Sequence, residues 1–150
     1  MVRVITGLGE RQLRVLFYRN RLGLSYNEIG NKIGTTKQNV HSMLKRISKN
    51  YSSCLKVIEE VEAISNPFVE VMKGSSILEV SDDVIKTADS EGIKLRGNKN
   101  DVLSWIKWNF RCNNLKVEEE GGIVIRRDGT LFKVTSETIK RVKAIVSQLV

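Results

Sequence analysis

The chain has 150 residues, 41% of them apolar and 28% charged, with a formal net charge of +8. That composition suits a folded protein of one domain or two small ones and excludes an intrinsically disordered chain. No run of about 18 apolar residues exists to span a bilayer. The charge is uneven: residues 1–56 hold 11 Lys and Arg against 2 Asp and Glu, a surplus of 9, whereas residues 57–150 hold 14 against 15. A basic field confined to the first third points to a polyanionic partner, nucleic acid before an anionic membrane.

The chain opens with MVRVITGLGERQ, which has no long apolar core ahead of a small-residue cleavage site. No secretory leader is expected, and the protein is placed in the cytoplasm with both thiols reduced. A first helix follows in LGERQLRVLFYRNRLG. Gly9 stands at its N-cap, Gln12 at the third helical position, and Leu8 with Leu13 forms the staple. Leu13, Leu16 and Phe17 share one face by i, i+3, i+4 spacing, Arg11, Arg14 and Arg21 lie mostly elsewhere, and Gly23 closes the helix. The second helix has a clearer start: Ser25 and Glu28 form an S-x-x-E capping box flanked by the Leu24–Ile29 staple. Ile29 and Ile33 fall on one face, and Gly34 ends the helix.

A third helix begins near Thr36 and continues to about residue 64. Val40, Leu44, Ile47, Tyr51, Cys54, Ile58 and Val61 alternate four and three apart, which is heptad spacing. The stripe packs either on the chain itself or on a second copy. Asn66-Pro67 breaks the helical pattern and sets a domain boundary there. Beyond it FVEVMK reads as a strand, Gly74-Ser75-Ser76 as a turn and ILEV as a short strand. Ser81 is expected to cap a helix that buries Val84, Ile85 and Ala88, and IKLRG reads as a strand. NDVLSWIKWNF is an amphipathic helix with Val102, Leu103, Ile106 and Phe110 inward. LKVEE and IVIRR flank Gly121-Gly122, and IVIRR and TLFKV flank Asp128-Gly129, the strongest hairpin signal present. TSETIKRVKAIVSQLV forms the last helix, with Ile139, Val142, Val146 and Leu149 on one face. The fold class expected is a mainly α, helix-turn-helix N-terminal domain (residues 1–65) and an α+β C-terminal domain (66–150), joined by the long helix.

The stretch SYNEIGNKIGTTKQNVHSMLKR carries the functional signal. Two short helices that cross steeply need a very small residue where they touch and a turn residue that tolerates positive φ. Gly30 and Gly34 meet both demands, Ile29, Ile33, Val40 and Met43 fill the inward positions, and a basic run follows. Glycine at position 30 costs roughly 1 kcal/mol against alanine in a helix interior. With Val40 inward, a step of 100° per residue puts Gln38, Ser42, Lys45 and Lys49 on the opposite side and Asn39 and His41 on the flanks. The early part of such a helix reaches base edges and the later part meets backbone. Thr36, Lys37, Gln38, Asn39, His41 and Ser42 therefore mark the DNA-reading surface. Gln38 suits adenine N6 and N7, and Lys37 suits guanine. Lys45, Arg46 and Lys49 suit phosphates, and the N–H groups at Ser25 and Tyr26 offer another phosphate site.

GERQLRVL, LSYNEIGNKIGTTKQNV and ADSEGIKLR together resemble the archaeal Tfx family of DNA-binding transcription regulators. The resemblance covers roughly residues 5–100; the last third matches loosely, and the final helix looks like an extension. Gly9 stands where the family tends to have Thr, Gly30 where it tends to have Ala, and KQNVH where it tends to have RANVS. These departures fall partly on the reading surface, so no operator sequence is carried over. The resemblance implies a sequence-specific regulator with an N-terminal helix-turn-helix.

The expected partner is double-stranded DNA, bound by a homodimer, with a small-molecule effector a further candidate for the C-terminal domain. The competing reading is a module that docks on RNA or the transcription machinery through the same basic face. RNA recognition usually uses exposed aromatics, and the aromatics here are few and mostly at core-like positions. No enzyme is expected, because no Cys/His pair, Ser/His/Asp set, phosphate loop or H-E-x-x-H motif occurs. With a single histidine and two distant cysteines, no metal or cofactor is implied.

Overall fold

The computed structural model describes residues 7–150. The stretch read as leaderless begins in residues 1–6, outside the described residues. The chain divides into two compact units, Met1–Leu55 and Lys56–Val150.

In the first unit, α1 (Glu10–Asn20), α2 (Tyr26–Ile33) and the beginning of α3 (Lys37–Ser65) meet at Val15, Ile29 and Val40, each fully buried. Tyr18, Leu24, Tyr26, Ile33, Met43 and Leu44 pack around them. The Gly9 N–H donates to Gln12 Oε1 at 3.0 Å, as the capping pattern predicts. The inward face of α1 is not the expected one. Leu13 is 54% and Phe17 48% exposed, and Val15 is the buried residue. Val15 and Tyr18 lie three apart and pack against α2 and α3, while Leu13 and Phe17 each lie about 160° from Val15 around the helix.

α3 runs within a residue of the expected span. Its stripe changes character along its length. Val40 and Ile47 are buried, but every residue from Ser48 to Ile58 is exposed.

The second unit is a three-stranded antiparallel sheet with helices on both faces. Its strands are β1 (Phe68–Val71), β4 (Gly121–Ile125) and β5 (Leu131–Val134), in the order β1-β4-β5. β4 is central and buried throughout, with Val69 opposite Ile123 and Ile125 opposite Leu131. Ile123 and Ile125 face one core with α4 (Ile77–Ser90) and α5 (Lys99–Asn109). Val124 faces the other with Ala63 of α3 and with Ile139 and Val142 of α6 (Ser136–Leu149). A separate two-residue ladder joins β2 (Cys112–Asn113) to β3 (Lys116–Val117). The β4–β5 hairpin turns at Asp128-Gly129, as expected.

Four sequence readings change. ILEV is the first turn of α4, not a strand: Ser76 is the N-cap, its Oγ accepting from the Leu78 N–H at 3.2 Å, and Ile77, Val80, Val84 and Ala88 follow at helical spacing into the core. Ser81 therefore sits mid-helix and buried. IKLRG is not a strand; the Arg96 N–H reaches only Gly129 O, beside the hairpin turn. Gly121-Gly122 belongs to β4 rather than to a turn, because a Cβ on Gly122 would lie within 2.5 Å of the Ile139 side chain and the strand can approach α6 only without one. Finally, Val146 and Leu149 are exposed, so only the first half of α6 is packed.

The end of α3 is clamped to this unit by its acidic residues. Glu62 accepts two hydrogen bonds from Arg126, both at 3.0 Å, and the guanidinium rests 4.5 Å from the Phe132 ring centre. Glu59, 6% exposed, accepts from the hydroxyls of Thr135 and Thr138 at 3.0 and 2.8 Å. A buried carboxylate with two donors avoids the cost of an unpaired one.

Candidate nucleic-acid interface

Three local devices place the exposed start of α3. At the head of α2, Ser25 Oγ accepts from the Glu28 N–H at 3.2 Å and Glu28 accepts from the Ser25 N–H at 2.7 Å. The Ser25 N–H and then its hydroxyl hold the Glu28 carboxyl below the usual glutamate range. Ser25 therefore spends its N–H on Glu28. The donors left for an anion at this helix start are the Tyr26 and Asn27 N–H groups, which precede the first intrahelical bond.

At the other end of α2, Gly34 is left-handed (φ 72°, ψ 43°) and its N–H returns to Gly30 O. The Thr35 N–H also reaches Gly30 O, at 2.8 Å. A Cβ on Gly30 would meet Thr35 O at 2.7 Å and Thr36 C at 3.3 Å. Glycine at 30 is thus required by the approach of the turn, and its propensity cost is not the governing effect. The third device is the cap of α3: the Asn39 N–H donates to Thr36 Oγ1 at 3.1 Å, and Asn39 Nδ2 donates to Thr35 Oγ1 at 3.0 Å. Asn39 is consequently tied to the turn beneath it.

With that start in place, Lys37, Gln38, His41, Ser42, Lys45, Arg46 and Lys49 are all exposed. They share the surface opposite Val40 and its flanks, as the helical step requires. His41 lies against the Tyr26 ring, centroids 5.6 Å apart, and the Arg19 guanidinium sits 4.8 Å from the same ring. Arg19 is itself oriented by donating to Leu24 O at 3.0 Å. The chain Arg19–Tyr26–His41 thus links α1, α2 and α3 at one border of the surface. At the other border, Arg11 of α1 shares a shallow hollow with Thr35, Asn39, Ser42, Met43 and Arg46. Arg11 and Arg19 border this candidate surface, and the sequence reading missed them. Periodicity puts them on α1 but does not say which flank of α1 meets α3.

No acidic residue occurs between Glu28 and Glu59. Of the eleven ion pairs among the described residues, only Arg14–Glu10 belongs to Met1–Leu55, and none engages Arg11, Lys37, Lys45, Arg46 or Lys49. The surface is an array of cations with no counterion among the described residues, built around a helix start and edged by aromatic stacking. Among the described residues no group of three His, Cys, Asp or Glu could hold a metal ion, and no helix is long and apolar enough to cross a membrane.

The exposed start of α3, with cations that form no ion pair among the described residues, is held on a small three-helix core. The relatives of the chain place it among transcriptional regulators. It is 34% identical over 103 residues to a candidate transcriptional regulatory protein of Methanocaldococcus jannaschii, covering 68% of this chain and 74% of that one. It is 29% identical to another of Thermococcus kodakarensis, over 83% of this chain and 78% of the relative. A third, of Pyrococcus furiosus, is 28% identical over 85% and 84%. The chain belongs to this family of archaeal candidate transcriptional regulators. No family model matches it.

Proposed function

We propose that the protein is a sequence-specific DNA-binding transcription regulator of the Tfx family. In this reading α2, the Gly34 turn and the first part of α3 form a helix-turn-helix, and residues of about 36–48 enter the major groove. The observation that carries it is the set of cations on α3 left without internal partners. A protein that neutralises phosphates needs such charges free, since release of condensed counterions supplies much of the affinity. Lys37, Gln38, His41 and Ser42 face base edges. Lys45, Arg46 and Lys49 meet phosphates, joined by Arg11, and Thr36 and Asn39 hold the register of the helix start. The N–H groups of Tyr26 and Asn27 offer a further phosphate contact. The protein acts as a homodimer on a palindromic site, and residues 66–150 supply the domain in which an effector would act.

Selection of bound duplexes from a random pool tests this reading. An enriched motif is expected, bound in preference to its scrambled form at physiological salt. Gln38→Ala is expected to relax preference at one base position and to cost about 1–3 kcal/mol there. A pool that yields no motif, scrambled DNA that competes equally, or tighter binding to single-stranded RNA would each overturn it.

A further inference from the structure

Within Lys56–Val150, the tip of the β4–β5 hairpin, the segment before α5 and the first turns of α5 enclose a pocket of about 340 Å³. Every residue that lines it belongs to this one unit. Close packing fixes its walls. The Arg96 N–H donates to Gly129 O at 3.0 Å. Gly129 is left-handed (φ 84°), and a Cβ there would collide with Lys94 O. The hairpin tip and the segment beside it can therefore lie together only with glycine at that position. Leu95, Val102 and Leu131 give the pocket an apolar lining continuous with the larger core of this unit. Trp105 stands among them, half-buried, its ring edge-on to Phe110 with centroids 6.4 Å apart.

Two opposite charges line the same pocket, and neither is paired with the other. Arg96 Nε donates to Asp128 O at 2.9 Å, which orients the guanidinium. Its terminal nitrogens make no hydrogen bond among the described residues; one of them lies 3.8 Å from the Asp128 carboxylate. That carboxylate is already engaged by the Thr130 N–H and hydroxyl, at 3.0 and 2.6 Å. Asp101 Oδ2 accepts from the Asn98 N–H at 2.7 Å. Its other oxygen takes no donor, and Asp101 forms no ion pair, among the described residues. A forked cation and a carboxylate thus stand open beside one apolar lining.

We propose that this pocket binds a free α-amino acid with an apolar side chain; its use as the effector site of a regulator rests on the DNA-binding reading. Charge complementarity selects the ligand. A simple carboxylic acid suits Arg96 but brings its charge toward Asp101, and a simple amine meets the reverse conflict. A zwitterion answers both, with its carboxylate on the planar guanidinium fork and its ammonium on Asp101. The apolar side chain then displaces water from Leu95, Val102, Leu131 and the indole. Size agrees: about 340 Å³ lies at the low end of the roughly 300–1,000 Å³ of small-molecule sites, which suits an amino acid better than a nucleotide. The pocket also adjoins the clamp on α3. Thr130 O accepts from the Arg126 N–H at 2.9 Å, and the Arg126 guanidinium holds Glu62.

The experiment uses the full chain with Trp108→Phe, a change at a side chain 89% exposed, which leaves Trp105 as the only indole. Equilibrium dialysis against L-leucine, L-methionine and L-phenylalanine is expected to show saturable binding of at least one of them, with a matching change in Trp105 emission. The amine and the carboxylic acid of the same carbon skeleton should each bind at least about tenfold more weakly, since each lacks one charged contact. Arg96→Gln and Asp101→Asn should each weaken binding by a similar factor with circular dichroism unchanged; asparagine keeps an acceptor for the Asn98 N–H. No binding of any of these amino acids up to about 10 mM, an amine or acid that binds as well, binding without a Trp105 response, or unchanged binding in both variants overturns the site. DNA is absent from all of these measurements. A duplex selection that yields no motif therefore removes the effector role and leaves the binding site standing.

Discussion

Met1–Leu55 carries 10 Lys and Arg against 2 Asp and Glu, and its described residues form one ion pair; Lys56–Val150 carries 15 of each and forms ten. The cores differ in the same sense. The first unit is centred on three fully buried side chains, whereas the second has thirteen buried residues on one face of its sheet and five on the other. Exposed ion pairs add little stability, typically about 0–1 kcal/mol each, so the pairing in the second unit is not what makes it solid. What differs is the charge available to something outside the chain. One unit neutralises its own surface and stands on a two-sided core; the other keeps its cations free and depends on a few close contacts to hold their shape.

The largest effect should come from removing those free cations. Lys45→Ala, Arg46→Ala and Lys49→Ala together are expected to lower affinity for duplex DNA by roughly 10²–10³-fold at about 0.1 M salt and to reduce the slope of log K against log salt by about 2–3, near 0.9 per lost phosphate contact. The matching triple in the second unit, Arg127→Ala, Lys140→Ala and Lys143→Ala, removes as much formal charge from residues already paired with Glu91, Glu120 and Glu70. It should leave DNA affinity within about twofold, since no phosphate contact is lost. Equal effects in a filter-binding or anisotropy titration would erase the distinction between the units.

The next effect concerns shape. Helix propensity alone predicts that Gly30→Ala stabilises by about 1 kcal/mol. The Cβ it introduces would meet the Thr35 carbonyl oxygen at 2.7 Å, and a backbone atom cannot swing aside as a side-chain tip can. Overpacking of this kind costs about 1–3 kcal/mol. We expect a net loss in urea unfolding together with weaker DNA binding, because the displaced turn carries the start of α3. A gain in stability would mean that the turn yields freely.

A third substitution tests the opposite side of the comparison. Glu62→Ala removes both acceptors of the Arg126 guanidinium, which faces Phe132 at the end of α3. Loss of hydrogen bonds to a charged group costs about 1.5–3 kcal/mol, toward the lower end here because Arg126 is about one-third exposed. The loss should appear in urea unfolding of the intact chain, with affinity for a single half-site unchanged. If half-site affinity falls as far as stability does, the charges of the second unit serve the reading surface as well as their own fold.

The sequence shows most of the basic unit because its features are local. The Ser25–Glu28 box, the Gly34 turn and the exposed positions from Lys37 to Lys49 each follow from spacing within one turn or one helix. What stayed hidden there depends on tertiary approach: the true inward face of α1, the need for glycine at 30, and the arrival of Arg11 and Arg19 beside the surface. In the second unit the hairpin at Asp128-Gly129 and the α5 stripe are equally local and equally plain. ILEV misleads because four apolar or β-compatible residues fit a short strand as well as a first helical turn; only the Ser76 cap and the later Val80–Val84–Ala88 spacing separate the two. Gly121-Gly122 misleads because glycine usually marks a turn, whereas here it makes room for Ile139 across the sheet. Partners far apart in sequence leave no periodic trace, so Glu59 with Thr135 and Thr138 had no local signal at all.

The smallest effect is one of pH, and it belongs to the weaker unit. Glu28 caps α2 while its carboxyl is ionised, and the Ser25 N–H, then the Ser25 hydroxyl, hold its pKa below the usual glutamate value. A carboxyl whose folded pKa is depressed stabilises the fold above the unfolded pKa and loses that contribution as pH falls through the folded one. Stability from this cap is therefore complete at neutral pH and fades on the acid side. Glu28→Gln keeps an acceptor for the Ser25 N–H but cannot ionise. The difference in urea midpoint between wild type and Glu28→Gln should be present at pH 7 and shrink as the medium is acidified below the glutamate range. A difference constant with pH would assign the contribution of Glu28 to its shape in the capping box, with no share for its charge beside the helix start and Lys32.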